Sequence, residues 1–134
     1  ESSKLNGKPI SVSKNINLSQ SLIATGFPYY DFDKMDDYLS ILKYLMQNSH
    51  GLRRFGSAAV DLAYVACGRY EAYFEYNLNA WDVAAGAFIV QQAGGKVSRF
   101  NGDQDFIFGR EIMSCSSDIY DELLTILQDR WKHN

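Results

Sequence analysis

Apolar positions along the chain switch between two spacings. Between residues 33 and 48 they recur every three or four positions, which predicts a helix with one apolar face. Asp31 or Asp33 stands where a capping residue would begin this helix. Residues 57–68 predict a second helix, made mainly of small side chains, and a similar spacing predicts a C-terminal helix from Ser117.

Short apolar runs and strict alternation predict β-strands between these helices. In the segment YEAYFEY, residues 70–76, Ala72, Phe74 and Tyr76 fall on one side of the predicted strand. The other predicted strands are residues 8–14, 21–27, 52–55, 96–100 and 111–116. Strands that alternate with helices indicate a layered α/β domain, in which a mostly parallel β-sheet is flanked by helices. A chain of 134 residues has the usual length of one such domain.

The run NAWDVAAGAFIVQQAGG, residues 79–95, is apolar nearly all round after its first turn. A helix of this composition is expected to be buried between two layers. Trp81 and Asp82 stand at its start, and Gly94 and Gly95 end it. We expect Trp81 to anchor the first turn by packing.

Composition and charge narrow the classes of function. The formal net charge is −3 and the only close basic pair in the middle of the chain is Arg53-Arg54, so nucleic acid is not expected as the main partner. No run of 18 apolar residues predicts a membrane span. Cys67 and Cys115 are too few for a disulfide framework, which favours reduced thiols and a cytoplasmic location. The chain begins at Glu1, and we expect a processed protein or a piece of a longer one.

The candidate functional residues lie beyond the carboxyl ends of the predicted strands, where open α/β sheets bind their ligands. Gly56, Ser57 and Ala58 join a strand to the start of a helix. Unpaired N–H groups and the helix dipole favour an anion such as phosphate at that point. Ser57 can equally be a plain N-cap residue.

Two acidic residues are further candidates. Asp82 opens the apolar helix, where it either completes the N-terminal cap or offers an oxygen ligand to Mg²⁺. Glu75 closes a predicted strand, where it is either a solvated charge or an acceptor for a polyol hydroxyl. A single carboxylate does not hold Mg²⁺, so further ligands would have to come from elsewhere.

A longer motif lies around these candidates. Trp81-Asp82 is followed by small residues at 84–86 and by Ala-Gly-Gly at 93–95. This order matches the second signature of the inositol monophosphatase family, and residues 53–95 closely resemble the C-terminal half of that family. The segments NGKPISVS and LIATGFPY are similar to the strands that precede it. The resemblance therefore covers nearly the whole chain.

The resemblance implies a Mg²⁺-dependent phosphatase that hydrolyses inositol monophosphate or a related sugar phosphate, often as a homodimer. It makes Asp82 a metal ligand and a catalytic residue that also touches the substrate. It places Glu75 on an inositol hydroxyl, and Gly56, Ser57 and Ala58 against the substrate. The metal ions of the family activate a water and offset charge on the phosphoryl oxygens.

One departure from the family is large. The first signature, Asp-Pro-x-Asp-Gly-Thr, is absent from the sequence, and so is the Glu upstream of it. In the family these residues carry most of the metal ligands. The chain is therefore expected to be the C-terminal domain of a larger phosphatase, inactive alone. Its partner would be the missing N-terminal half, and its apolar surface would be exposed where that half packs.

Other interpretations stay open. The chain can be a non-catalytic phosphate-binding or regulatory module that keeps the same scaffold, since a fold does not secure a function. Within the superfamily, a bisphosphate nucleotidase or a fructose bisphosphatase is a further alternative.

Overall fold

The computed structural model describes residues 4–26, 34–54 and 56–132. Its strands are β1 Lys4–Leu5, β2 Lys8–Pro9, β3 Leu22–Thr25, β4 Gly51–Arg53, β5 Ala72–Tyr76, β6 Lys96–Ser98 and β7 Glu111–Cys115. Its α-helices are α1 Met35–Asn48, α2 Ala58–Ala66, α3 Ala80–Gln92 and α4 Tyr120–Arg130. Short 3-10 turns lie at Leu18–Gln20 and Ser117–Ile119. The predicted helix caps Asp31 and Asp33 lie outside the described residues.

Five strands form one sheet in the order β4-β3-β5-β7-β6. The strands β4, β3 and β5 are mutually parallel, whereas β7 is antiparallel to both of its neighbours. Four of the five strands therefore run in one direction, and the α/β class predicted from the sequence is confirmed. The sheet is nevertheless mixed, because the reversed strand β7 lies between β5 and β6 and makes two of the four pairings antiparallel.

The strand predicted over residues 8–14 is much shorter in the structure. β2 ends at Pro9 and pairs only with β1, in a small separate hairpin. Asn6 and Gly7, both with positive φ, form its turn, which is the conformation that a two-residue hairpin favours. Residues 10–14 form no ladder, and Val12 donates a backbone hydrogen bond to the Ala93 carbonyl.

The sheet separates two apolar cores. One core lies between the sheet and the helices α1 and α4, and the other lies between the sheet and the helices α2 and α3. The alternation predicted for β5 is confirmed, because Ala72, Phe74 and Tyr76 face the first core and Tyr73 faces the second. All four helices are thus outer layers around one sheet.

The expected burial of α3 on all sides is wrong. Val83, Ala87 and Val90 face the core, whereas the side chains of Trp81 and Phe88 are 79% and 61% exposed. No layer of described residues covers this outer face, so Trp81 does not anchor its turn by packing as expected. Among the described residues, no helix combines the length and the apolarity needed to span a bilayer.

Candidate active site

The parallel strands β4, β3 and β5 end at the same edge of the sheet. Their register pairs Ala24 with Arg53 and Thr25 with Phe74. The residues that follow these pairs, among them Gly26 and Glu75, therefore lie side by side at that edge. The helices α2 and α3 begin just after β4 and β5, so both helix N-termini lie there as well. Open α/β sheets bind their ligands at such an edge.

Glu75 occupies the centre of this edge. Its half-buried carboxylate lies against the backbone of Gly26 and accepts a hydrogen bond from the hydroxyl of Tyr73. Burial raises the pKa of Glu75, the Tyr73 hydrogen bond opposes that rise, and the charge of Asp82 adds to it. The carboxylate is thus fixed in place and close enough to Asp82 to feel its charge.

Asp82 lies in the first turn of α3. Its Oδ2 accepts a hydrogen bond from the backbone N–H of Asn79 at 3.3 Å, as half of a capping box. The capping role considered from the sequence is therefore real. It does not exclude metal binding, because a carboxylate offers about four acceptor positions on its two oxygens.

Gly56, Ser57 and Ala58 form the turn into α2. Gly56 has a φ of 93°, which favours glycine, and it is exposed. The Ser57 Oγ accepts a long hydrogen bond of 3.4 Å from the backbone N–H of Val60, so Ser57 is the N-cap residue of α2. The capping role is again present, and it leaves other N–H groups of the first turn directed along the helix axis toward the edge.

Sequence reasoning missed Asp61. This residue lies in the first turn of α2 and is 1% exposed, and its Oδ1 has no hydrogen-bond partner among the described residues. Burial, together with the charge of Glu75, raises the pKa of Asp61 to about 7. Burial raises the pKa of Tyr73, and the charges of Glu75, Asp61 and Asp82 add to that rise. The sequence did carry a signal for the burial of Asp61, because this residue lies four positions before the apolar Val65 and so shares its face of the helix.

We expect Asp61→Asn to change how stability depends on pH. The pKa of Asp61 is higher in the native state than in the unfolded chain. Its contribution to the free energy of unfolding is therefore most favourable below about pH 4 and is lost as the pH rises toward about 7. Asparagine does not titrate. Urea unfolding from about pH 4 to pH 8 should therefore show the variant gaining up to about 4 kcal/mol relative to the wild type. A difference that stays constant across this range would contradict the buried, protonated state.

The described part of the chain does not supply a complete set of metal ligands. No group of three or more His, Cys, Asp or Glu residues there is placed to hold a metal ion. Asp82 and Glu75 alone do not supply the oxygen ligands that Mg²⁺ requires. Any metal at this edge would need ligands from outside the described residues.

Comparison with known proteins now decides the family. The model of the inositol monophosphatase family matches residues 1–133. The chain is 44% identical to the Nus factor SuhB of Pseudomonas aeruginosa, over 92% of this chain and 46% of that protein. It is 37% identical to the inositol-1-monophosphatase of Caulobacter vibrioides, over 90% of this chain and 48% of that protein. The chain belongs to the inositol monophosphatase family.

Solved structures agree with this family. The inositol monophosphatase of Anabaena superposes with a TM-score of 0.87 at 38% identity, over 93% of this chain and 51% of that one. The extragenic suppressor protein SuhB of Bartonella henselae also gives a TM-score of 0.87 at 38% identity, over 92% of this chain and 47% of that one. The chain thus spans about half the length of the relatives it matches. The family and the fold predicted from the sequence are confirmed, whereas the roles of the individual site residues stay predictions.

Proposed function

We propose that this chain forms one side of the active site of a Mg²⁺-dependent phosphatase, which hydrolyses inositol monophosphate or a related sugar phosphate. One observation carries the proposal. In a chain of the inositol monophosphatase family, Asp82, Glu75 and the N-terminus of α2 lie at the carboxyl edge of the parallel strands, which is where open α/β sheets bind ligands.

Each group has a role that its surroundings suit. Asp82 is a metal ligand whose position is fixed by the α3 cap. Glu75 accepts a hydrogen bond from a substrate hydroxyl, and its carboxylate is already held in place by Tyr73. Gly56, Ser57 and Ala58 present the α2 N-terminus to the phosphate, where unpaired N–H groups and the helix dipole stabilise negative charge. When bound, Mg²⁺ would supply an activated water and would offset charge on the phosphoryl group.

The rest of the site belongs to another segment. The described residues hold no three-ligand metal cluster, and the chain spans about half of its relatives. We therefore propose that the remaining ligands come from an N-terminal half of a longer chain. Trp81 and Phe88 leave an exposed apolar face on α3. Such a face supports the proposal that the N-terminal half, or a second copy in a homodimer, packs against it.

Phosphate release from inositol 1-phosphate tests the proposal. The longest chain encoded by the natural reading frame should release phosphate only with Mg²⁺, and this chain alone should release none. Turnover by this chain alone would contradict the shared site. A long chain that leaves a whole panel of phosphate esters intact would contradict the phosphatase.

A second candidate function is a non-catalytic binding or regulatory role. The observation in its favour is the name Nus factor carried by relatives that include the one from Pseudomonas aeruginosa. A long chain that folds and binds phosphate without hydrolysing any ester would favour this role. The expectation that nucleic acid is not the main partner stays a prediction and is checked by a binding assay at low and high salt.

A further inference from the structure

We propose that Gly26, Tyr73 and Tyr38 are positioning residues that fix the Glu75 carboxylate and thereby set the preference for phosphate esters that carry a polyol. This inference rests on the hydroxyl-binding role proposed above for Glu75. Gly26 follows β3, Tyr73 lies on β5 and Tyr38 lies on α1. Gly26 and Tyr73 contact the carboxylate, and Tyr38 holds Gly26.

Gly26 provides the floor under the carboxylate. A Cβ at this position would stand well under 3.0 Å from the carboxyl carbon of Glu75 and from both carboxyl oxygens. The nearest atoms all belong to the end of a flexible side chain and not to the backbone. Because Gly26 does not have a positive φ, alanine is compatible with the backbone there. Gly26→Ala should therefore displace the carboxylate and leave the sheet intact.

Tyr73 holds the carboxylate laterally. Its side chain is fully buried in the core between the sheet and the helices α2 and α3, and its hydroxyl donates to Oε1 of Glu75. The two residues are two positions apart on β5, so both side chains lie on the same face of the sheet. Burial and the charge of Glu75 raise the pKa of Tyr73, so the phenol keeps the proton that it donates to Glu75.

Tyr38 fixes the floor itself from the opposite face of the sheet. This residue of α1 is 1% exposed, and its hydroxyl donates to the carbonyl of Gly26. The Thr25 hydroxyl lies 2.9 Å from the Tyr38 hydroxyl and donates to the Phe74 carbonyl at 2.8 Å, which ties the ends of β3 and β5 together. A site held by such a supporting network binds its ligand without first having to order the carboxylate.

Steady-state kinetics in the longest natural chain test the proposal. Inositol 1-phosphate is compared with phenyl phosphate, which has no hydroxyl for Glu75 to bind. Gly26→Ala and Tyr73→Phe should raise KM for inositol 1-phosphate by about 10-fold or more, as expected for a lost hydrogen bond to a charged group. The kcat for this substrate should change little, and both constants for phenyl phosphate should stay near their wild-type values. Tyr38→Phe should change KM in the same direction but less.

Two matched controls lie away from the Glu75 carboxylate. Gly51→Ala makes the same change at the start of β4, where the new Cβ would stand 3.0 Å from the guanidinium at the end of the exposed Arg53 side chain. Tyr120→Phe removes a hydroxyl at the start of α4. Neither control should change the ratio of KM values for the two substrates.

Crystal structures of the variants separate the two parts of the proposal. Gly26→Ala should move the Glu75 carboxylate by about 1 Å or more, since the new methyl group takes its place. An unmoved carboxylate with an unchanged KM would overturn the positioning role. A displaced carboxylate with an unchanged KM would show that Glu75 is held as described but does not bind the substrate hydroxyl, which overturns the specificity role. A wild-type chain that hydrolyses no ester contradicts the proposed function. In that case, movement of the Glu75 carboxylate in the Gly26→Ala crystal structure alone decides whether Gly26 positions it.

Discussion

Asp82→Asn in the longest natural chain should lower Mg²⁺-dependent phosphate release by about 1,000-fold. Asparagine keeps the size of the side chain and an oxygen that can accept from the Asn79 N–H, so the α3 cap is retained. It loses the negative charge that a Mg²⁺ ligand supplies. Because even partners outside the first coordination shell typically cost about 10–100-fold, loss of a direct ligand should cost more.

The two roles of Asp82 are separated by measuring activity and stability on the same samples. Initial rates of phosphate release, taken over a range of Mg²⁺ concentrations, should show a large loss and a weaker response to the metal. Urea unfolding should show a change of less than about 1 kcal/mol. Asp36→Asn is the matched control, since Asp36 is an exposed acidic residue in the first turn of α1. If Asp82→Asn retained more than a tenth of the activity, Asp82 would be only a capping residue.

Local patterns in the sequence predicted the elements because local forces decide them. The spacing of apolar residues identified α1, and the alternation in β5 assigned its two faces correctly. The place of β7 between β5 and β6 was not predictable in this way, because strand order depends on contacts between residues far apart in the chain. The length of β2 was overestimated for a similar reason, since alternation after Pro9 does not supply a partner strand.

The outer face of α3 shows a different limit. Trp81 and Phe88 made the helix apolar all round in sequence, and that pattern predicted burial on every side. A pattern does not say which segment covers each side of a helix, and the described residues leave this face open. The site has the same limit. Glu75 and Asp82 were found as single residues, whereas the distance at which the charge of Asp82 raises the pKa of Glu75 depends on how α3 packs on the sheet.

Gly95→Ala should lower the free energy of unfolding by about 3 kcal/mol. A Cβ at this position would stand 2.6 Å from Cγ1 of Val90, 2.8 Å from the carbonyl oxygen of Cys115 and 2.9 Å from Cγ1 of Val12. The Cys115 carbonyl belongs to β7, and Cys115 pairs with Lys96 in the adjacent strand β6. The backbone there has little room to yield without loss of that pairing. A loss of this size is a large share of the usual 5–15 kcal/mol of a domain.

The neighbouring glycine separates steric clash from backbone strain. Gly94 has a φ of 94°, and a Cβ added there would meet nothing within 4 Å, so Gly94→Ala should cost only about 1–2 kcal/mol of backbone strain. Val90→Ala removes the methyl group nearest to Gly95. In a double-mutant cycle measured by urea unfolding, Val90→Ala should therefore recover about 1 kcal/mol of the free energy lost in Gly95→Ala. The losses from Val90→Ala and Gly94→Ala should simply add. Additivity in both pairs would contradict the clash. Coupling in the Gly95 pair alone would show that Gly94 and Gly95 are required for different physical reasons, Gly94 for its conformation and Gly95 for its contact with β7.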